Sequence, residues 1–252
     1  MSSLSHTQTN PVPIANTELH EVSSSLIGQK YHIKVRLPEK YSETNVSYPV
    51  LYLLDGDHAF AMATDIVQYL IYGEHIPDMI IISPAYGSKN TPAYGGTNMR
   101  NRDLVPFLVK WTDTPPGAAL YLQFLEQELQ PFVTSRYRVN SADCTLAGYS
   151  FGAYFVLYTL FQKPDLFNRL IAIDGMDDRF LEMEASFSEA HSTLPIRLFV
   201  SSGEDDMSKF ADKIAKRGYT GLTVEHAQLN SIGHFAVSAE GLTKGLVSVF
   251  QR

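Results

Sequence analysis

Short apolar runs alternate along this chain with segments of helical period, and few folds accommodate that alternation. The runs at 49–54 (Pro-Val-Leu-Tyr-Leu-Leu), 79–82 (Met-Ile-Ile-Ile), 169–173 and 196–201 show no regular polar face. A strand without a polar face must be covered on both sides, as in a parallel sheet sandwiched between helices. Between the first two runs, Phe60, Ile66, Val67, Leu70 and Ile71 recur at helical spacing. Periodicity and turn residues place further helices at 118–133, 151–162, 179–190, 207–217 and 235–250, and strands at 144–147 and 222–227. Near the N-terminus, 18–27 and 31–37 alternate apolar and polar residues around Gly28-Gln29, with Tyr31, Ile33, Val35 and Leu37 on one face. That is the pattern of an antiparallel hairpin at a sheet edge. The expected architecture is an α/β protein with a mostly parallel sheet of about eight strands, an antiparallel N-terminal edge and helices on both faces.

Composition narrows the class. With 252 residues, 44% hydrophobic and 19% charged, the chain can bury one large core, and a single domain over 17–252 is expected. Residues 1–16 are rich in Ser, Thr, Asn and Pro and form a flexible tail without the basic and apolar regions of a signal peptide. No apolar stretch approaches the ~20 residues that span a bilayer, so a cytoplasmic location and no membrane partner are expected. A net charge of -7 with no Lys/Arg run argues against a nucleic-acid partner. The single cysteine, Cys144, excludes an intrachain disulfide and reads as a small buried core residue. There is no His-x-x-x-His, cysteine cluster or Gly-rich phosphate loop, so neither a metal nor a cofactor is expected.

The segment Gly148-Tyr149-Ser150-Phe151-Gly152 joins the strand at 144–147 to the strongly apolar helix at 151–162. Gly-x-Ser-x-Gly on its own is a common turn, but between a strand and a helix it holds the serine hydroxyl exposed above the sheet edge, where a nucleophile must stand. Such a serine needs a base, a group that orients the base, and donors for the oxyanion. Of the eight histidines, His191, His226 and His234 follow Ser150. His234 lies between the last strand and the last helix, where a loop can carry its imidazole over the sheet edge. His226 falls in a strand and His191 near a helix end. For the acid, the turn after the strand at 196–201 reads Gly203-Glu204-Asp205-Asp206. A run of acids also caps and solvates a following helix, and Asp206 in particular could serve as an N-cap. Asp206 ranks first as the acid and Asp205 second.

The long connection at 83–116 carries Pro84, Pro92, Pro106, Pro115 and Pro116 together with Tyr86, Tyr94, Phe107 and Trp111. It leaves the C-terminal end of a central strand, the edge where open α/β sheets bind ligands, and is expected to lie over the active site. Arg100, Arg102 and Asp103 form its polar cluster. The two guanidinium groups could hold a substrate oxygen, or the pairing with Asp103 could pin the loop to the body. Tyr149 is grouped with Arg100 and Arg102 as a substrate contact.

These residues together resemble the putative-esterase branch of the α/β-hydrolases, which includes esterase D-like, enterochelin (siderophore) esterase-like and feruloyl esterase-like enzymes. The resemblance runs from about Glu18 to Phe250. It rests on Tyr48 to Gly56, Arg100-Asn101-Arg102-Asp103, Phe124 to Leu129, Gly148 to Gly152, the acidic turn after Gly203, and Gly233-His234. It implies an α/β-hydrolase fold and a Ser150-His234-Asp206 triad, the acid standing three residues after the glycine that ends its strand. It also implies an oxyanion hole made by the N–H of Phe151 and that of Gly56 or Asp57, where the chain has Asp55-Gly56 in place of the common His-Gly. The function so implied is that of a serine carboxylesterase acting on a small-molecule ester. Siderophore trilactone, feruloyl ester, S-formylglutathione thioester and acyl-transfer activities stand as variants, and a non-catalytic binding protein on the same fold is the reading from another class.

Overall fold

Two edge strands, β1 (Thr17–Ser24) and β2 (Gln29–Arg36), pair antiparallel from Thr17 opposite Arg36 to Ser24 opposite Gln29. Their alternation is visible in the burial of Tyr31, Ile33 and Val35 on one face. The computed structural model describes residues 12–87, 99–110, 114–230 and 233–251. Beyond β2 the strands are β3 (Tyr48–Leu53), β4 (Ile80–Ala85), β5 (Val139–Tyr149), β6 (Arg169–Ile173), β7 (Arg197–Ser202) and β8 (Thr223–Gln228). The helices are α1 (Phe60–Tyr72), α2 (Met99–Leu104), α3 (Ala118–Phe124), α4 (Gln130–Thr134), α5 (Phe151–Gln162), α6 (Arg179–Ala190), α7 (Ser208–Arg217) and α8 (Val237–Phe250).

One eight-stranded sheet has the order β1-β2-β4-β3-β5-β6-β7-β8. β2 pairs antiparallel with β4, and every later pairing is parallel. The sequence pattern requires this, because only helix-covered parallel strands use apolar side chains on both faces. Leu51, Leu53, Ile81, Ile171, Ile173 and Phe199 pack toward α1 and α8. Val50, Tyr52, Leu146, Leu170, Leu198 and Val200 pack toward the other helical layer, which includes α5 and α7. Each such fully buried side chain contributes about 1.5–3 kcal/mol of transfer free energy. β4 lies on one side of β3 and β5 on the other, so the chain reverses its direction of growth between them. The crevice at the C-terminal ends of β3 and β5 is therefore the switch point where such sheets hold ligands.

Several expected boundaries differ. β5 begins at Val139 rather than 144, because Asn140, Ser141 and Ala142 are exposed and Asp143 is charged, so this stretch carries no hydrophobic run. The expected helix at 118–133 is α3 and α4 joined by a π turn at Leu125–Leu129. Pro131, in the first turn of α4, has no N–H for the usual bond to Gln127, which disrupts the regular ladder there. The last helix is preceded by a single 3-10 turn, His234–Ala236.

Cys144 is buried, and burial, aided by Asp143, pushes its thiol up to about 12. The fully buried Glu184 on α6 is matched by Arg217 (2.7 and 2.9 Å) and Tyr219 (3.1 Å). Among the described residues no helix is long and apolar enough to cross a membrane. Of the long connection, residues 88–98 and 111–113, including Pro92, Tyr94 and Trp111, lie outside the described residues, as does the tail through residue 11.

Candidate active site

Ser150 sits between β5 and α5 with φ 59° and ψ -120°, a conformation a non-glycine residue rarely adopts and one that costs of order 1–3 kcal/mol. Its own N–H is anchored to Ile173 O of β6 at 2.9 Å. The turn is so tight that a Cβ on Gly148 would lie 2.4 Å from Gly152 O, and one on Gly175 would lie 2.3 Å from Ser150 O. Small neighbours are thus a steric condition of the serine's placement. Asp55 (φ 61°), two residues past β3, and Asp174 (φ 48°), directly after β6, also take the left-handed conformation. Three neighbouring strands therefore end in backbone kinks at one edge of the sheet.

At that edge His234 Nε2 lies 3.0 Å from Ser150 Oγ, and His234 Nδ1 lies 2.7 Å from Asp174 Oδ2. A carboxylate can only accept, so Nδ1 carries the proton, and Nε2 of the neutral ring is left to accept from the serine hydroxyl. Asp174 is fully buried. Its other oxygen, Oδ1, accepts from the N–H groups of Gly203 (2.7 Å) and Asp205 (2.8 Å). Burial pushes the Asp174 carboxyl up, but the bonds from His234 and from the amides of residues 203–205 outweigh it and hold its pKa below the ordinary value. The Asp174 bond raises the pKa of His234 above 6.5 against the opposing effect of burial.

The structure brings Asp174 to His234 and not Asp206, the acid expected there. Asp206 is exposed and accepts from Ser208 N (2.9 Å) and Ser208 Oγ (2.6 Å) at the start of α7. Asp205, the second choice, accepts from Met176 N at 3.4 Å. Glu204 accepts from the backbone N–H of His234 at 2.9 Å. The turn after β7 curls its N–H groups, not its carboxylates, toward the histidine's partner. The sequence signal for Asp174 is Leu170-Ile171-Ala172-Ile173-Asp174-Gly175, an apolar strand ending in Asp-Gly, in the Ser-acid-His chain order. The other late histidines lie elsewhere: His226 meets Ser202 Oγ at 2.8 Å, and His191 stacks on Phe187 at 4.0 Å.

The oxyanion donors divide. Gly56 N–H donates to Pro84 O at 3.0 Å and is not free, which removes it from the pair of expected positions. The N–H groups of Asp57 and Phe151 have no acceptor among the described residues. The Asp57 carboxylate holds its turn in place by accepting from Tyr86 N (2.7 Å) and Gly87 N (3.2 Å).

The expected substrate contacts are committed to the protein. Arg100 forms a two-pronged ion pair with Asp55 (2.5 and 2.9 Å), donates to Tyr149 O at 3.3 Å and lies 5.6 Å over the Phe151 ring. Arg102 bonds Asp103 (2.6 Å) and Tyr31 OH (3.2 Å), and Tyr31 also donates to Asp103 at 2.6 Å. The second sequence reading of these arginines, as pins for the loop, matches this geometry. α2 is thereby fastened against the elbow. Tyr149 OH donates to His234 O at 2.7 Å, so it too is engaged internally. Phe235, beside His234, is 76% exposed, and a hollow lined by Met176, Asp177, Asp178, Asp205 and Asp206 adjoins the acid side of the site.

The strand order, the elbow and its bonded partners are those of an α/β-hydrolase-type serine hydrolase. A family model described as Putative esterase matches residues 23–217, and the chain belongs to that family of ester-bond hydrolases. The ferri-bacillibactin esterase BesA of Bacillus subtilis is 24% identical over 261 residues, covering 90% of this chain and 87% of the relative. A siderophore triacetylfusarinine C esterase of Aspergillus fumigatus is 28% identical over 167 residues, 64% of this chain and 56% of the relative. Among solved structures, an IroE-like serine hydrolase from Shewanella oneidensis superposes with a TM-score of 0.79 at 26% identity, covering 93% of this chain and 80% of that one.

Proposed function

We propose that the protein is a serine carboxylesterase that opens a siderophore-type ester through an acyl-enzyme, with Ser150, His234 and Asp174 as its triad. The observation that carries this reading is the continuous bonded chain from Ser150 Oγ through His234 to the buried Asp174. His234 Nε2 takes the hydroxyl proton as Ser150 Oγ attacks the ester carbonyl, and Asp174 stabilises the imidazolium that results. The carbonyl oxygen becomes an oxyanion that the N–H groups of Phe151 and Asp57 receive; losing one such donor typically costs about 10²–10³ in kcat. His234 then returns the proton to the departing alkoxide, leaving Ser150 acylated. Water, deprotonated by the same imidazole, releases the acid and restores the serine.

The siderophore-type substrate is supported by the names of the two curated relatives. A fluorophosphonate probe should label Ser150. Ser150→Ala should lose both labelling and hydrolysis of p-nitrophenyl acetate while keeping its circular dichroism, and undiminished turnover would refute the nucleophile. Ranking a trilactone siderophore, a feruloyl ester, S-formylglutathione and p-nitrophenyl esters by kcat/KM tests the substrate class. The trilactone should rank first; a preference for the thioester would refute it.

A further inference from the structure

His234 occupies the junction between β8 and α8, where a single 3-10 turn begins at the histidine itself and Gly233 before it takes φ 125°. The main chain of His234 is gripped by two side chains from other parts of the fold. Tyr149 OH donates to His234 O at 2.7 Å, and the Tyr149 ring lies 4.8 Å from the imidazole, centre to centre, at 39°. Glu204 Oε1 accepts the His234 N–H at 2.9 Å. The two grips reach the neighbours of the other triad members. Tyr149 directly precedes Ser150, and Glu204 lies between Gly203 and Asp205, whose N–H groups hold Asp174.

We propose that Tyr149 and Glu204 are positioning residues that fix the His234 imidazole relative to Ser150 and Asp174, a role that rests on reading those three as the triad. The tyrosine ties the histidine to the nucleophile's own strand, so the 3.0 Å approach of Nε2 to Ser150 Oγ is set across a short, stiff path rather than through the loop. The glutamate ties it to the turn that cradles the acid. A reacting proton must pass over a hydrogen-bond distance, and misplacement by about 1 Å is enough to cost ~10²-fold in rate. Burial, aided by Asp174, pushes the Tyr149 hydroxyl well above its ordinary pKa, so it stays a donor at working pH. With that hydroxyl engaged, Tyr149 acts on the reaction through His234 and not on the substrate.

Tyr149→Phe keeps the ring and deletes the bond. On p-nitrophenyl acetate it should lower kcat about tenfold or more with KM within about twofold, rates being normalised to active sites by fluorophosphonate titration. Glu204→Ala should lower kcat by about threefold to tenfold, and Glu204→Gln, whose amide oxygen still accepts, should recover most of that loss. A raised KM with unchanged kcat in Tyr149→Phe would make Tyr149 a substrate contact and overturn the proposal. So would normalised kcat at the wild-type level in Tyr149→Phe, or a Glu204→Gln as impaired as Glu204→Ala. Should Tyr149→Phe fail to fold, the two Glu204 variants decide. Ser150→Ala separates the levels. If it retains turnover the triad reading itself fails, whereas an inactive Ser150→Ala beside unimpaired Tyr149→Phe and Glu204→Ala removes only the positioning role.

Discussion

Replacing Asp174 by Asn tests the chemistry at the atom where it is decided. Asp174 Oδ1 accepts from two backbone N–H groups, Gly203 and Asp205, and Oδ2 faces His234 Nδ1. An asparagine in the same cavity must keep its oxygen on the two amides, since its NH2 cannot accept from them. Its NH2 then points at His234 Nδ1, which has to become an acceptor. The proton moves to Nε2, and the ring can no longer take the proton of Ser150. A wrong tautomer with geometry intact lowers kcat by about 10⁴ in a serine protease, so a loss of about 10³–10⁴ is expected here, equivalent to about 4–5.5 kcal/mol of transition-state stabilisation. Both amide bonds survive, so stability should fall by no more than about 2 kcal/mol. Steady-state kinetics on p-nitrophenyl acetate with urea denaturation would measure both quantities, and Asp206→Asn serves as the comparison. Among the described residues the Asp206 carboxylate is hydrogen-bonded to Ser208, away from His234, and its variant should stay within about twofold of wild type. A large loss in Asp206→Asn together with an unimpaired Asp174→Asn would refute the assignment.

The bond to Asp174 chiefly raises the pKa of His234 above the ordinary 6.5, and the proposed mechanism needs the neutral ring. The kcat/KM profile should therefore fall as pH drops through a midpoint above 6.5, and the residual activity of Asp174→Asn should titrate at lower pH; a wild-type midpoint below 6.5 would contradict the geometry. Gly175→Ala would place a Cβ 2.3 Å from Ser150 O, so a change that often stabilises a chain should instead destabilise this one by about 1–3 kcal/mol and depress kcat/KM, as denaturation and kinetics would show. Cys144, buried and with its thiol pushed up to about 12, should resist a disulfide-exchange reagent in the native state and react once unfolded, and rapid native labelling would show the strand to be open.

Much of this fold was legible in the chain because the signals are short-range. The boundaries of α5, β6 and α6 fall where periodicity and turn residues place them, since an apolar helix or a doubly covered strand must repeat its pattern locally. The elbow is equally local, its small residues and serine being adjacent in sequence. His234 could be singled out because, of the late histidines, it alone falls in the loop between the last strand and the last helix, which can carry an imidazole over the sheet edge. The polar start of β5 and the π turn before Pro131 escaped because neither alters the hydrophobic pattern that was read.

The partners of Ser150 and His234 belong to a different order of information. Four carboxylates, Asp174, Glu204, Asp205 and Asp206, stand at the ends of β6 and β7, and composition treats them alike. Strand order sets β6 beside the elbow, with β7 on its far side. That placement buries Asp174 against the histidine and turns the amides after β7 inward. It leaves Asp206 in solvent, Glu204 on the histidine's backbone, Arg100 bonded to Asp55 and to Tyr149 O, and the Tyr149 hydroxyl bonded to His234 O. The sequence by itself determined the layered sheet, the exposed serine and the histidine that faces it, because each follows from residues close together in the chain. Only the tertiary structure decided which carboxylate bonds the histidine, since hydrogen-bond partnership depends on distances of about 3 Å between strand ends that lie far apart in sequence.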